Sequence, residues 1–224
     1  MKTSLSVVFQ AAFGLVVFAV LFFLPAGTFN YWQAWVLIAV FTISTLLPSL
    51  HLARKDPAAL ERRRHGGPTN ETRTVQKIVI SGAFVLLPAV FVFCALDHRF
   101  GWSPVPAVVS LIGDALVAIG LGIAMLVVFQ NSYAAANITV EDSQRVVCTG
   151  LYGLVRHPMY AGTLIMMAGI PLALDSWYGL VFVIPGMVGI AARILDEEKM
   201  LKQELAGYRE YAQKVHYRLV PYVW

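Results

Sequence analysis

Five apolar runs, each long enough to cross a bilayer, constrain this chain before any single residue does: 5–24, 31–52, 75–96, 105–133 and 159–194. A bilayer core takes about 20 apolar residues in helical form, and a backbone crossing it must satisfy its own N–H and C=O groups. Side-by-side helices are therefore expected. The chain is 58% hydrophobic and 13% charged, against about 25% charged in ordinary soluble domains, so lipid is the expected solvent. The first run follows one lysine, Lys2, with no small-residue cleavage site after it, and reads as an anchor. The last run is too long for one span. Pro171 and Asp175-Ser176 interrupt it, so it reads as a helical hairpin with two short arms. The expected fold is all-α: a polytopic transmembrane bundle of five to six membrane segments, the last two forming the hairpin. A division into 1–104 and 105–224 is expected, the first with a basic loop at 53–74 and the second carrying the chemistry.

Charge placement sets the orientation. Of the 17 Lys and Arg residues, 16 fall on the side of the 53–74 loop, the 134–158 loop and both termini, and Arg99 falls on the other. By the positive-inside rule, both termini and both long loops are expected in the cytoplasm. Trp32, Trp35, Trp102 and Trp177 lie near the expected outer boundary, as interfacial aromatics do. Cys94 falls in an apolar run and Cys148 in a polar loop, which suggests neither a disulfide nor a Cys-based metal site. Glu61-Arg62-Arg63-Arg64-His65 fits a topology determinant, with anionic headgroups as the alternative partner. It is short and beside a membrane, so nucleic acid is not expected as a partner. The chain contains no His-Glu-x-x-His, Walker or Gly-rich strand–helix motif, so zinc hydrolysis, nucleotide hydrolysis and a Rossmann site have no support.

The polar residues worth weighing lie on the basic side. Pro158 suits the first turn of a helix, so Arg156-His157-Pro158-Met159-Tyr160 reads as the start of the fifth span. A helix N-terminus there would suit a carboxylate or phosphate. A basic snorkelling pair that fixes topology fits the same spacing. From 193 to 205, apolar residues at 194, 195, 200, 201 and 205 follow a helical period. Arg193 and Glu197 share one face of that helix, as do Glu198 and Lys202, for which a solvated ion pair suffices. A guanidinium at the end of an apolar span is costly unless something anionic meets it or it reaches the headgroups. Gly120 and Gly122, in mid-span, fit close helix packing as well as a ligand site. Asp114 is assigned no role.

Taken together, Gly150-Leu-Tyr-Gly-Leu-Val-Arg-His-Pro-Met-Tyr-Ala-Gly162, then Asp196-Glu-Glu-Lys-Met-Leu201, then Tyr208-Arg-Glu-Tyr211 and a final Pro221 resemble the isoprenylcysteine carboxyl methyltransferase family. The wider set includes phospholipid N-methyltransferases. The resemblance covers roughly residues 115 to 221, and the N-terminal half matches in hydropathy only. It implies S-adenosyl-L-methionine as methyl donor, held in a cytoplasmic cofactor-binding region. Donor contacts carried over by position fall on Asn137, Gln144, Arg145, Val146, Val147, Tyr152, His157, Pro158, Met159, Tyr160 and Glu197. Arg193 matches the substrate-side arginine. The phospholipid-methylating relatives would add Gly120, Gly122 and Glu198. Gln144-Arg-Val-Val147 departs from the familiar pattern in side chains, so contacts there would be mostly through backbone.

The expected function is methylation of a carboxylate on a prenylated or other lipophilic acceptor, with Arg193 orienting the carboxylate. Glu197 would answer the donor's ammonium or ribose, and Glu197 or His157 would serve as base if the acceptor were an amine or a phenol. The rivals are a phospholipid or amine N-methyltransferase, an NADPH-dependent membrane reductase of the steroid-reductase type, and a non-catalytic membrane protein.

Overall fold

In the computed structural model, the described residues are 2–64, 67, 69, 71, 73–134 and 144–224. Eight α-helices follow one another among them: α1 Lys2–Ala26, α2 Trp32–Lys55, α3 Pro57–Arg64, α4 Thr74–Phe100, α5 Ala107–Gln130, α6 Pro158–Ala173, α7 Val183–Glu204 and α8 Tyr208–Lys214. Five segments are long and apolar enough to cross a membrane, and α6 is a shorter apolar helix. The all-helical bundle expected from the apolar runs is present. The last block is a hairpin with unequal arms rather than two short ones. At about 1.5 Å per residue, the 16 residues of α6 fall short of a bilayer core. The returning arm runs unbroken from a 3₁₀ turn at Tyr178 to Glu204. The apolar end of the hairpin and the amphipathic 193–205 segment are thus one helix. Pro171 is carried inside α6, and the chain turns at Asp175, whose φ is +63°.

Polar connectors lock the end of the bundle where that turn lies. The buried Asp97 carboxylate accepts the backbone N–H of Ser103 at 2.7 Å and the hydroxyls of Ser103 and Ser176. Asp175 takes the N–H of Val105 at 2.6 Å and lies 2.9 Å from Nδ1 of His98. The His98 ring stacks on Tyr31 at 3.8 Å, and Tyr31 donates to the carbonyl of Leu174. Below this lies the main core, where Phe18, Phe22, Phe41 and Phe91 interlock α1, α2 and α4.

Helices α5 and α6 make the most extensive helix–helix contact, and glycine is the reason. Gly113 faces Gly169 and Gly120 faces Gly162, one heptad apart on each antiparallel helix. A methyl group on Gly162 would lie 2.7 Å from the Gly120 carbonyl oxygen and 3.0 Å from Cβ of Ile123. Lipid gives helices no hydrophobic reason to associate, so close backbone approach through small residues has to supply the contact. Gly122, two residues on, is exposed, and an added Cβ there meets nothing within 4 Å. Of the two mid-span glycines, Gly120 therefore belongs to the helix seam and Gly122 to the outer face.

Gly162→Leu is expected to lower stability by about 1–3 kcal/mol or more through overpacking, while Gly122→Leu leaves it nearly unchanged. Thermal unfolding of the detergent-solubilised variants checks this; equal midpoints would contradict the seam.

Candidate active site

At the opposite end, residues 150–158 pack on the helix ends in three short steps. Gly150 adopts φ +60° and opens a 3₁₀ turn. A Cβ there would collide with Gln130, whose Oε1 accepts the N–H of Leu151 at 3.0 Å. The turn presents Tyr152, whose hydroxyl receives Nδ2 of Asn131 at 3.2 Å and whose carbonyl receives the Tyr211 hydroxyl at 2.7 Å. The N–H groups of Arg156 and His157 then donate to the carbonyls of Tyr217 and Arg218, each at 2.9 Å. Pro158 starts α6 as its first residue, as its fixed φ favours.

Glu198 holds this arrangement together. It was expected on a solvated face with Lys202, and that pair exists at 3.6 Å. The carboxylate itself is only 2% exposed. Its Oε1 accepts Nε of Arg156 at 2.8 Å and Nε of Arg218 at 3.2 Å, and lies 3.4 Å from Nε2 of His157, off the hydrogen-bonding line. Arg156 also donates through Nη1 to the carbonyls of Val215 and His216 at 2.9 and 3.2 Å. Arg156 is therefore a buried staple joining α6, α7 and the C-terminal segment, rather than a headgroup-seeking surface cation.

Between these pieces lies a cavity of about 120 Å³. The structure brings to its wall Gln144, Arg145, Val146 and Val147, then Tyr152, then His157, Pro158, Met159 and Tyr160 at the start of α6, with Arg193 and Glu197 from α7. Asn137 lies outside the described residues. Glu198, Gly120 and Gly122 do not line the cavity: the first sits behind it, and the other two are in mid-span. The wall also holds residues for which the sequence assigned no role. Met200, Leu201 and Leu205 supply an apolar floor, and Tyr208 and Tyr211 supply aromatic faces. The two tyrosines were in view as part of a motif, but nothing in their spacing says which way they point. Burial pushes the phenols of Tyr152, Tyr208 and Tyr211 above their ordinary range, so all three stay neutral. The buried hydroxyl of Tyr208 has no hydrogen-bond partner among the described residues.

Arg193 and Glu197 do not pair directly. The Tyr160 hydroxyl stands between them, accepting Nε of Arg193 at 2.8 Å and donating to Oε2 of Glu197 at 2.7 Å. His157 stacks on the Tyr160 ring with centroids 5.6 Å apart, and its Nδ1 lies 3.9 Å from Glu197. The site thus offers an acid, neutral aromatic faces and a buried guanidinium around one cavity. One turn deeper, Thr163 and Ile190 open onto a second cavity of about 550 Å³ between α4, α6 and α7, lined almost wholly by apolar side chains. A mixed polar pocket abutting an apolar groove can hold a charged small molecule and an acyl- or prenyl-like chain together. Unlike the 193–205 pattern, Glu71 gave no signal in the sequence; its Oε1 lies 3.3 Å from both Nη1 and Nη2 of Arg193.

Glu198→Ala would leave the buried Arg156 and the part-exposed Arg218 without their carboxylate and is expected to cost about 3–5 kcal/mol. Lys202→Ala removes a half-exposed partner and should cost at most about 1 kcal/mol. Unfolding midpoints in detergent separate the two; matching losses would refute the hub.

The chain is similar in sequence to known membrane proteins. The phospholipid methyltransferase family model matches residues 108–206. A probable protein-S-isoprenylcysteine O-methyltransferase of Oryza sativa subsp. indica is 31% identical over 153 residues, covering 64% of this chain and 78% of that protein. Its counterpart in subsp. japonica gives the same values. The mouse Delta(14)-sterol reductase TM7SF2 is 33% identical over 93 residues, 39% of this chain but only 22% of the reductase. Among solved structures, the eukaryotic intramembrane Ras methyltransferase ICMT aligns with a TM-score of 0.49 and 16% identity, over 98% of this chain and 85% of that one. With its motifs gathered at one pocket and a relative matched over more than two thirds of its length, the chain belongs to the isoprenylcysteine carboxyl methyltransferase family of integral membrane methyltransferases.

Proposed function

We propose that the protein transfers a methyl group from S-adenosyl-L-methionine to a carboxylate on a prenylated or other lipophilic acceptor, at the cytoplasmic leaflet. The observation that carries this reading is the Arg193–Tyr160–Glu197 chain, set on the wall between a polar pocket and an apolar groove. The pocket's chemistry fits the donor. Glu197 suits the donor's ammonium, and the neutral faces of Tyr152, Tyr208 and Tyr211 suit adenine or a sulfonium cation. The Tyr208 hydroxyl, without a partner among the described residues, offers a hydrogen bond to a ribose or amino-acid group. When bound, the donor supplies an electrophilic methyl group.

The residues of the chain do the rest by placement. An acceptor carboxylate is already ionised and needs no base, so catalysis reduces to holding two reactants in line and excluding water. Arg193 orients the carboxylate; Tyr160 holds the guanidinium through Nε, while Nη1 and Nη2 lie 3.3 Å from Oε1 of Glu71. The groove between α4, α6 and α7 takes the hydrocarbon chain, so a lipid acceptor reaches Arg193 from within the membrane. On this reading the methyltransferase core is 105–224, and the basic end of the bundle is cytoplasmic. Phospholipid methylation is the second reading, favoured by the family model over 108–206. The sterol reductase similarity covers too little of that protein to favour hydride transfer.

Detergent-purified protein should bind S-adenosyl-L-methionine by calorimetry and not NADPH, with Glu197→Gln weakening binding about tenfold. Arg193→Ala should lower kcat/KM for the acceptor roughly 100-fold while leaving donor affinity close to wild type. Incubation with labelled donor and a mixture of a prenylated carboxylate and an amine-bearing phospholipid should yield an alkali-labile methyl ester; a stable N-methyl phospholipid formed in its place would establish the second reading. A C-terminal fluorescent-protein fusion should fold and fluoresce in the cytoplasm, whereas a C-terminal alkaline phosphatase that is active would reverse the orientation.

A further inference from the structure

The basic run at 61–65, which the proposed function leaves unused, begins beside a cavity. Helix α3 turns its apolar side inward, where buried Ala59 and Leu60 cluster with Val7 of α1, Leu52 of α2 and Val128 of α5. Its start is fixed by Asp56, whose Oδ1 accepts the N–H of Ala59 at 2.9 Å. Leu60 thereby stands at the basic end of a groove of about 300 Å³ between α1 and α2, walled by Val7, Gly14 and Phe18 on one side and Thr45 and Ser49 on the other. From Val7 to Phe18 the groove follows α1 for about 16 Å at 1.5 Å per residue, about half of a ~30 Å bilayer core. Its depth is that of one leaflet. A Cβ on Gly14 would meet nothing within 4 Å among the described residues, so the chain leaves the groove open at that level. The hydroxyls of Thr42 and Thr45 are spent on the carbonyls of Ile38 and Phe41, at 2.7 and 2.6 Å, and ask nothing of an occupant.

The mouth of this groove is positively charged. The last turn of α2 carries Arg54 and Lys55, and α3 ends on Arg62-Arg63-Arg64; over 54–64 the only acids are Asp56 and Glu61. Arg62, two residues beyond Leu60, also reaches the polar pocket. Its Nη1 donates to the carbonyl of Ser132 at 3.4 Å, and its guanidinium carbon lies 5.0 Å from the centre of the Tyr133 ring. Tyr133 lines the pocket that holds Tyr152 and Glu197. A guanidinium has five N–H donors in a rigid fork, enough to serve a carbonyl and a phosphate together.

A groove one leaflet deep with a basic mouth fits a lipid with an acyl chain and an anionic head. The basic end of a membrane protein faces the leaflet that carries such lipids. We propose that the corner formed by α1, α2 and α3 is a binding site for one anionic phospholipid, with an acyl chain in the groove and its phosphate against Arg62. Through Arg62 the bound headgroup steadies the Tyr133 wall, so that anionic lipid tightens binding in the polar pocket. Only this coupling rests on the donor reading above; the lipid site does not.

Native mass spectrometry of protein taken from micelles with equal phosphatidylglycerol and phosphatidylcholine, matched in chains, tests the site. Wild-type protein should retain phosphatidylglycerol over phosphatidylcholine by roughly tenfold, and Arg62→Ala should cut that preference about fivefold. Arg62→Lys, which keeps the charge, should hold most of it. Gly14→Leu, which fills the groove where there is room, should lower retention of both lipids at an unchanged unfolding midpoint. Equal retention by wild-type protein, or an undiminished preference in Arg62→Ala, would overturn the headgroup contact. Full retention in folded Gly14→Leu would overturn the groove. Should Arg62→Ala fail to fold, the wild-type ratio and Gly14→Leu still decide. In nanodiscs, adding phosphatidylglycerol to phosphatidylcholine should tighten the Kd for S-adenosyl-L-methionine about fivefold in wild-type protein and not in Arg62→Ala. An unchanged wild-type Kd would overturn the coupling, whereas no donor binding in either nanodisc would sink the donor reading and leave the lipid site standing.

Discussion

The Glu198 carboxylate, buried behind the pocket, is the interaction on which the rest of the site depends. Arg156, Arg218, His157 and Lys202 surround it, drawing together the start of α6, the end of α7 and the C-terminal segment. Taking the Glu198 carboxylate and the Arg156 guanidinium out of water is expensive, and their attraction offsets that cost only when the remaining hydrogen bonds are made. Here Arg156 spends its other donors on carbonyls at the end of α8, and the backbone of 156–157 is pinned to 217–218. His157, Tyr160 and Glu197 acquire their places as a consequence. Glu198 itself holds the pocket's shape without lining it.

The two ends of the bundle solve different problems with the same means. At one end, Asp97 and Asp175 collect hydroxyls and backbone N–H groups of the connectors and fix how the helices meet. At the other, the acids face arginines and a tyrosine hydroxyl, and the pattern leaves some groups unspent. The Tyr208 hydroxyl and one oxygen of Glu71 lack partners among the described residues. Between the ends, glycine contacts let α5 and α6 approach backbone to backbone. This matters for the site because α5 supplies Gln130 and Asn131 to the turn that carries Tyr152, and α6 supplies His157 and Tyr160. A looser seam would spread those contributions apart. The apolar groove against α7 then sets a hydrocarbon-compatible space directly beneath the charged groups.

The sequence made the chemistry-bearing segments legible because their signals are local. Pro158 at a helix start, the 3.6-residue period of 193–205 and the Arg193–Glu197 spacing all survive in the structure. The same local logic misplaced Glu198. Its i,i+4 lysine suggested a solvated face, whereas the partners that bury it lie 42 and 20 residues away. Arg193 and Glu197 do share a face, but their link passes through Tyr160, 33 residues from one and 37 from the other. Glu71 carries no periodicity or motif; it is in the site only because Arg73 and Gln76 tie the start of α4 to Asp196. The glycine pair divided by fold position, Gly120 into the seam and Gly122 onto the outer face, and spacing cannot distinguish those outcomes.

Hydropathy and charge, read along the chain, determined that this is a helical membrane protein with its basic residues gathered at one end, because a bilayer imposes length and polarity on each segment independently of its neighbours. Helix start, helix period and the short motifs determined which stretches could carry chemistry. The tertiary structure alone decided which acid is structural and which lines the pocket, that a tyrosine relays between the arginine and the glutamate, and that an unannounced carboxylate sits over the guanidinium. Those outcomes depend on how helices distant in sequence are packed, and a buried charge takes its role from its partners in space.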